Sequence, residues 1–280
     1  KPDILILVGD RYETLAAAYV AHISNIPIGH IGGGEVTVGA TDDAFRHSIT
    51  KMSSLHFVTR KEYKRRIIQL GENPKKIFFV GDTSQEHIKK TALLEKNIIK
   101  RKLRINFLEK NVLVTYHPVT LEKNTSKKQF SEILKALDRL KNTNIIFTYP
   151  NSDVDGRIII KMINNFVKKN KNNSVAFKNL GHINFLSVLK NVDILIGNSS
   201  SGITDAPIFK VATIDIGDRQ KGRIKPKSVI MCKPTKKEIL NSIKKAYSSN
   251  FNKKIKKMKI ASLKSKGTKE ILKILKNELP

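Results

Sequence analysis

A doubly wound α/β chain in two domains, the first of them incomplete, is what the sequence predicts, and three observations predict it. Short apolar runs alternate with amphipathic stretches at the spacing of strand–helix–strand units, which pair as a parallel sheet. The rhythm breaks once, over a lysine-rich segment at 89–110, and then resumes, giving two such series. The chain is also in a strand almost at once: ILILV (4–8), bounded by Pro2 and Gly9, follows a Lys1 start rather than a Met, so upstream sequence is expected. With 280 residues, 40% of them hydrophobic and 28% charged, there is material for a core, and disorder is excluded as the main state.

After ILILV, TLAAAYVAHI reads as the first crossover helix and IPIGHI (26–31) as the second strand, followed by SLHFV (54–58) and KIFFV (76–80). The second series runs NVLVTYHP (111–118), NIIFTYP (144–150), SVAF (174–177), DILIG (193–197) and VATIDIG (211–217). Short unbroken apolar runs are what strands buried on both faces require. The tail, KEILKILKNEL (269–279), is an amphipathic helix. The domains are therefore expected at 1–105 and 106–262, with a terminal helix at 263–280. Ligands of open α/β sheets sit beyond the carboxyl ends of the strands, so the polar clusters there mark the candidate site, and two such domains would share a cleft.

Lys and Arg number 53 against 24 Asp and Glu, a formal charge of +29 that points to phosphate in some form: nucleic acid, an anionic membrane or a phosphorylated small molecule. The excess is Lys rather than Arg and travels with Asn in runs such as KKNKNN (168–173), a pattern typical of solvated faces. There is no Trp and the aromatics are scattered, so no stacking platform for single strands exists. One cysteine, Cys232, builds neither a disulfide nor a thiolate zinc site and is expected to be inert. No apolar stretch approaches the ~18 residues of a membrane span, and no secretory pattern opens the chain. A cytoplasmic location with no membrane partner is the expectation.

Chemistry concentrates in two places. GDRYE (9–13) closes the first strand and puts Asp10 and Arg11 at a helix mouth, where an N-cap explains an Asp equally well. HIGGGEVTVGATDDAFRHSITK (30–51) places three glycines, Glu35, Asp42, Asp43, Arg46 and His47 in one loop and helix start. Consecutive glycines allow close approach of the backbone to a ligand, and carboxylates converging on one cleft can divide acid and base work. Either Asp42 or Asp43 can be a helix cap, but capping does not require Glu35 and the Arg-His pair. The second series offers anion-binding pieces: His117 and Asn151 at strand ends, and NSSSGITDAP (198–207), in which Asn198, Ser199, Ser200, Gly202 and Asp205 open a helix. GDRQKGR (217–223) adds Arg219 and Arg223 to neutralise a diphosphate. Neither a dinucleotide fingerprint nor a P-loop occurs.

In this order GDRYETLAAA, HIGGGEVTVGATDDAFRHSITKMSSLHF, HPVT, GNSSSGI and GDRQKGR resemble the hydrolysing UDP-N-acetylglucosamine 2-epimerases of sialic and legionaminic acid synthesis, over residues 1 to about 231. The resemblance implies two Rossmann-like domains in a GT-B arrangement, with a final helix packing back on the first. It implies elimination of UDP from a UDP-sugar and hydration of the glycal to the free 2-epimer, either N-acetylmannosamine or its 4-acetamido-6-deoxy relative. By motif position Asp10, Glu35 and Asp42 match the family's carboxylate set, with Arg46 and His47 holding it. His117, Ser199, Ser200 and Arg219 match its diphosphate contacts, and Asp205 stands where many members carry a ribose-binding glutamate. A homo-oligomer is implied, and no metal or other cofactor.

Three departures qualify the match. Gly32 stands where sialic-acid-branch members often carry Glu, so either a catalytic carboxylate is absent or its duty passes to Glu35. Asp205 is one methylene short of the usual Glu. The family's opening strand and G-T-R motif have no counterpart here, so a chain lacking them is expected to leave strand edges and apolar surface uncovered and to be inactive as it stands. The alternatives are a non-hydrolysing epimerase, disfavoured by the RHSITKMS continuation, and a GT-B glycosyltransferase. A nucleic-acid-binding protein would use the +29, but its basic residues follow no groove-like motif.

Overall fold

In the computed structural model, which describes residues 2–38, 40–119, 122, 125–151, 155–258 and 266–279, each apolar run of the first series becomes a parallel strand. β1 (Leu5–Val8), β2 (Ile28–Ile31), β3 (Leu55–Val58) and β4 (Ile77–Phe79) are ordered β1-β2-β3-β4. They are connected through α1 (Tyr12–Ile23), α2 (Asp42–Met52) and α3 (Lys61–Gln69), and α4 (Thr83–Lys90) follows β4. Leu5 lies opposite Ile28 and Val8 opposite Ile31. That register sets Asp10 and the GGG loop side by side at the carboxyl ends of neighbouring strands. Leu7, Ala18, Ala21, Ile28 and Ile49 pack α1 and α2 against the sheet.

The second series builds a six-stranded sheet. α5 (Lys96–Leu103) precedes β5 (Lys110–Thr115), α6 (Ser126–Leu137), β6 (Thr143–Thr148), α7 (Gly156–Lys169), β7 (Ser174–Phe177) and α8 (His182–Lys190). The chain then crosses to the other side of β5 with β8 (Ile194–Gly197), the single turn α9 (Ser201–Thr204), β9 (Ala212–Ile216) and β10 (Val229–Cys232), ending in α10 (Lys236–Ala246) and α11 (Ser249–Lys256). The order is β10-β9-β8-β5-β6-β7, with every pairing parallel. Strand order reverses between β5 and β8, the switch point at which open α/β sheets leave a crevice. Gly197, at the end of β8, has φ +146, and a Cβ there would stand 1.9 Å from the Thr115 carbonyl, so only glycine lets β8 close on β5.

The chain divides into two compact units, Lys1–Lys90 with Ala261–Pro280, and Thr91–Ile260. The break expected at 105/106 therefore falls inside the second unit. α5 buries Ile99, and Ile105 follows it into the cluster of Leu113, Val188 and Leu195. The lysines that suggested a linker are the exposed face of an amphipathic helix: Lys96, Lys100 and Lys102 are solvated while Ile99 is not. The boundary expected at 262/263 lies outside the described residues. The last helix, α12 (Gly267–Glu278), packs in the first unit, where Ile271 joins Leu55, Phe57 and Val80. Its first turn is held by the Thr268 N–H donating to the Glu86 carboxylate at 3.0 Å, and its last by a Lys76–Glu278 ion pair. Among the described residues no helix is long and apolar enough to cross a membrane.

Candidate functional site

Arg46 organises the site of the first unit. It lies one turn into α2 and is 1% exposed, a burial that a guanidinium tolerates only when its donors are satisfied. Nη1 donates to the Glu35 carbonyl at 3.1 Å and to Asp43 Oδ1 at 2.9 Å; Nη2 donates to Thr37 Oγ1 at 3.0 Å and to Asp10 Oδ2. One side chain thus ties the β1 end, the GGGE loop and the first turn of α2 together. Asp43 also accepts the Thr37 N–H at 2.7 Å and stands 3.6 Å from His47 Nε2. Asp42 faces Arg11 instead, at 3.6 Å. The residue at the N-cap position of α2 is Thr41, so neither aspartate is the cap; both lie in the first turn, where the helix dipole favours acid. The Glu35 carboxylate is met by Thr59 Oγ1 at 3.4 Å.

The glycines approach their own fold more than a ligand. A Cβ on Gly33 would meet Thr50 Oγ1 at 3.0 Å and His30 Nδ1 at 3.1 Å, and one on Gly34, φ +77, would meet the Tyr63 carbonyl at 2.5 Å. Gly32, φ +90, has only the Gly9 nitrogen nearby, at 3.9 Å, so the open backbone of the loop is at Gly32. His30 is fully buried; its Nε2 lies 2.9 Å from the Gly9 carbonyl and its Nδ1 3.2 Å from Thr50 Oγ1. A carbonyl only accepts, so Nε2 carries the proton of the neutral ring, and the Thr50 hydroxyl beside Nδ1 donates to the Arg46 carbonyl at 3.0 Å.

Burial pushes the His30 ring down to about 4, and burial also lowers His47 and His56. The unfolded chain takes up a proton near pH 6.5 that folded His30 refuses until about 4. Stability from this group is therefore complete above pH 6.5 and is lost as pH falls toward 4, by ~3 kcal/mol. Urea midpoints measured between pH 7.5 and 4 should fall accordingly, and His30→Gln should flatten the profile. Equal slopes in both proteins would refute the assignment.

In the second unit the hub is Asn198, at the switch point and 1% exposed. Its Oδ1 accepts the His117 N–H at 2.7 Å and its Nδ2 donates to the His117 carbonyl at 2.8 Å, fixing the ends of β5 and β8 to one another. Its own carbonyl accepts from Arg219 Nη1 at 3.2 Å and from Gln220 Nε2 at 2.9 Å. The Asn151 N–H donates to His117 Nδ1 at 3.1 Å, which leaves Nε2 as the N–H of the neutral imidazole, a donor suited to an anion. Ser199 Oγ accepts the Ser201 N–H at 3.4 Å, and Asp205 accepts the Thr204 hydroxyl at 2.8 Å. The helix opened by the serine loop is only α9, with Gly202 packed under it against Thr213, so helix-dipole help is confined to one turn. Cys232 is buried, and burial pushes its thiol up. Among the described residues no cluster of three or more His, Cys, Asp or Glu side chains is placed to hold a metal.

Residues 1–276 match the family described as UDP-N-acetylglucosamine 2-epimerase. The chain belongs to that family. It is similar to the Campylobacter jejuni GDP/UDP-N,N'-diacetylbacillosamine 2-epimerase (hydrolyzing), with 44% identity over 82% of this chain and 60% of that protein. It is also similar to the Escherichia coli polysialic acid biosynthesis protein P7, with 40% identity over 89% of this chain and 63% of that one. It therefore spans under two thirds of the length of either relative. In fold it is similar to the crystal structure of the Neisseria meningitidis UDP-GlcNAc 2-epimerase bound to UDP-GlcNAc, with TM-score 0.81 and 17% identity, covering 99% of this chain and 76% of that one.

Within the family frame, four participants escaped the sequence reading: Thr37 and Thr59 beside Arg46 and Glu35, Arg66, which donates to the Gly34 carbonyl, and Gln220 beside Arg219. Thr37 lies within HIGGGEVTVG and Gln220 within GDRQKGR, so their place in the motifs is the signal that could have found them. Nothing in KEYKRRIIQ distinguishes Arg66 from its basic neighbours.

Proposed function

We propose that this chain is a hydrolysing 2-epimerase: it eliminates UDP from a UDP-N-acetylglucosamine-type sugar and hydrates the glycal to the free 2-epimer, in the cytoplasm. The observation that carries the reading is the Arg46 clamp, which gathers Asp10, Asp43 and the Glu35 backbone at one strand-end mouth. The hydrogen on C2 is not beside a carbonyl and is barely acidic, so the C1–O bond to UDP breaks first and UDP leaves with the bonding pair. Carboxylates near the resulting oxocarbenium centre stabilise it, and one takes the C2 proton, leaving the C1–C2 double bond. Water then adds, its oxygen to C1 and a proton to C2 from the opposite face. The second unit holds the leaving diphosphate through His117, Ser199, Ser200 and Arg219, with Asp205 toward the ribose. The hydrolysing character in the name of the Campylobacter relative supports this outcome over a nucleotide-retaining one.

Incubation with UDP-N-acetylglucosamine and with its 4-acetamido-6-deoxy relative in D2O, without acceptor, should release UDP and a free 2-epimeric sugar carrying deuterium at C2. A UDP-linked epimer would make the chain a non-hydrolysing epimerase, and sugar transfer that requires an acceptor would make it a glycosyltransferase. Neither product with either substrate would end the reading.

A further inference from the structure

β9 carries a charge in the interior of a parallel sheet. Ile214 and Ile216 point into the main core, while Asp215, 3% exposed, takes the other face between them. β9 has neighbours on both sides, and Asp215 stands in register with Gly197, the residue before Asn198. Its partner is Lys225, whose Nζ lies 3.3 Å from Asp215 Oδ2 with only 15% of its side chain exposed. A buried ion pair is seldom the most stable choice for such a position, so its presence asks for a geometric reason. The intervening segment gives one. It leaves β9 at Gly217, φ +74, turns through a Lys221 N–H to Asp218 carbonyl bond at 2.9 Å, and returns to Lys225. Within that ring Arg219 and Gln220 both reach the Asn198 carbonyl.

We infer that Asp215 and Lys225 form a positioning pair that closes the 217–224 loop at its base and so holds Arg219 and Gln220 on Asn198, ready for the diphosphate. The inference rests on the proposed UDP site and names what keeps it organised. Pre-ordering a loop strengthens binding by removing the entropy that the ligand would otherwise have to overcome. In this assignment the pair acts through the loop and not by contact with the nucleotide.

Lys225→Met keeps the stem and removes the charge at the rim, so it is the variant to make in the whole chain. Amide hydrogen exchange over 217–225 in the ligand-free protein should quicken ~10-fold or more while the strands keep their protection, and UDP should bind ~10-fold more weakly by calorimetry. Lys225→Arg should restore both. Asp215→Asn, where it folds, should weaken UDP to the same degree, and the double variant no further. Unchanged exchange in Lys225→Met overturns the inference, as does weakened UDP binding in Lys225→Met with a folded Asp215→Asn left unaffected, which would mean that Lys225 touches UDP directly. If the unaltered chain binds no UDP although its loop loosens in Lys225→Met, the reading of the site has failed and the pair has nothing to position.

Discussion

Arg46→Leu should cost the first unit about 3–5 kcal/mol and abolish turnover. The guanidinium is 1% exposed, and its loss strands Asp10 and Asp43, whose side chains are 23% and 28% exposed, with no counter-charge between them. Breaking a buried pair by removing one partner falls in that range because the remaining charge stays desolvated. Partial access of water to both carboxylates moves the expected value toward its lower end. Arg46→Lys should rescue little, since one ammonium cannot span the Asp10, Asp43, Thr37 and Glu35 acceptors that the planar fork reaches from two nitrogens. Urea unfolding followed by circular dichroism should resolve an early transition of the first unit, with the second unit and its UDP affinity unaltered; two units preclude a single two-state fit. A loss below ~1 kcal/mol would show that the carboxylates find other partners and that the clamp is not structural.

How far the sequence disclosed this arrangement depends on the kind of signal. Buried parallel strands announce themselves as apolar runs, and ILILV, DILIG and VATIDIG lie where they read. β10, VIMC, escaped because it is an edge strand with Met231 exposed, short and set after a lysine-rich loop. The misplaced domain break has a related cause: lysines report which face of a helix is wet, and Ile99 and Ile105 decide which core it joins. In the site, the motif named the actors but not their pairing. Asp42 and Asp43 stand four and three residues before Arg46, and both spacings bring side chains together on a helix. Only the position of Thr37, whose N–H donates to Asp43, settles that Asp43 serves Arg46. Asp215 and Lys225 were invisible for a simpler reason, as their contact exists only once the loop has folded back on β9.

Asp42, Glu35 and Asp10 should each lose far more in rate than in binding when made isosteric amides. Gly32 offers no charge, so under the proposed mechanism these three share the stabilisation of the oxocarbenium-like centre, the acceptance of the C2 proton and the activation of water. Removing a positioned acid or base lowers rate by ~10²- to 10⁴-fold, and a deficit confined to kcat marks an interaction made in the transition state. With UDP on the second unit, as proposed, each variant should bind it as before. Asp43→Asn makes an informative contrast. Asp43 receives Arg46 and the Thr37 N–H, so its loss should lower thermal stability together with turnover. Asp42, 3.6 Å from Arg11, should lose turnover with a smaller loss of stability than Asp43. The measurement is kcat for release of UDP and free sugar beside Tm and UDP affinity for all four variants. If Glu35→Gln and Asp42→Asn both keep near-wild-type release, the proton on C2 goes elsewhere, and Asp10, already drawn to Arg46, would be left to take it.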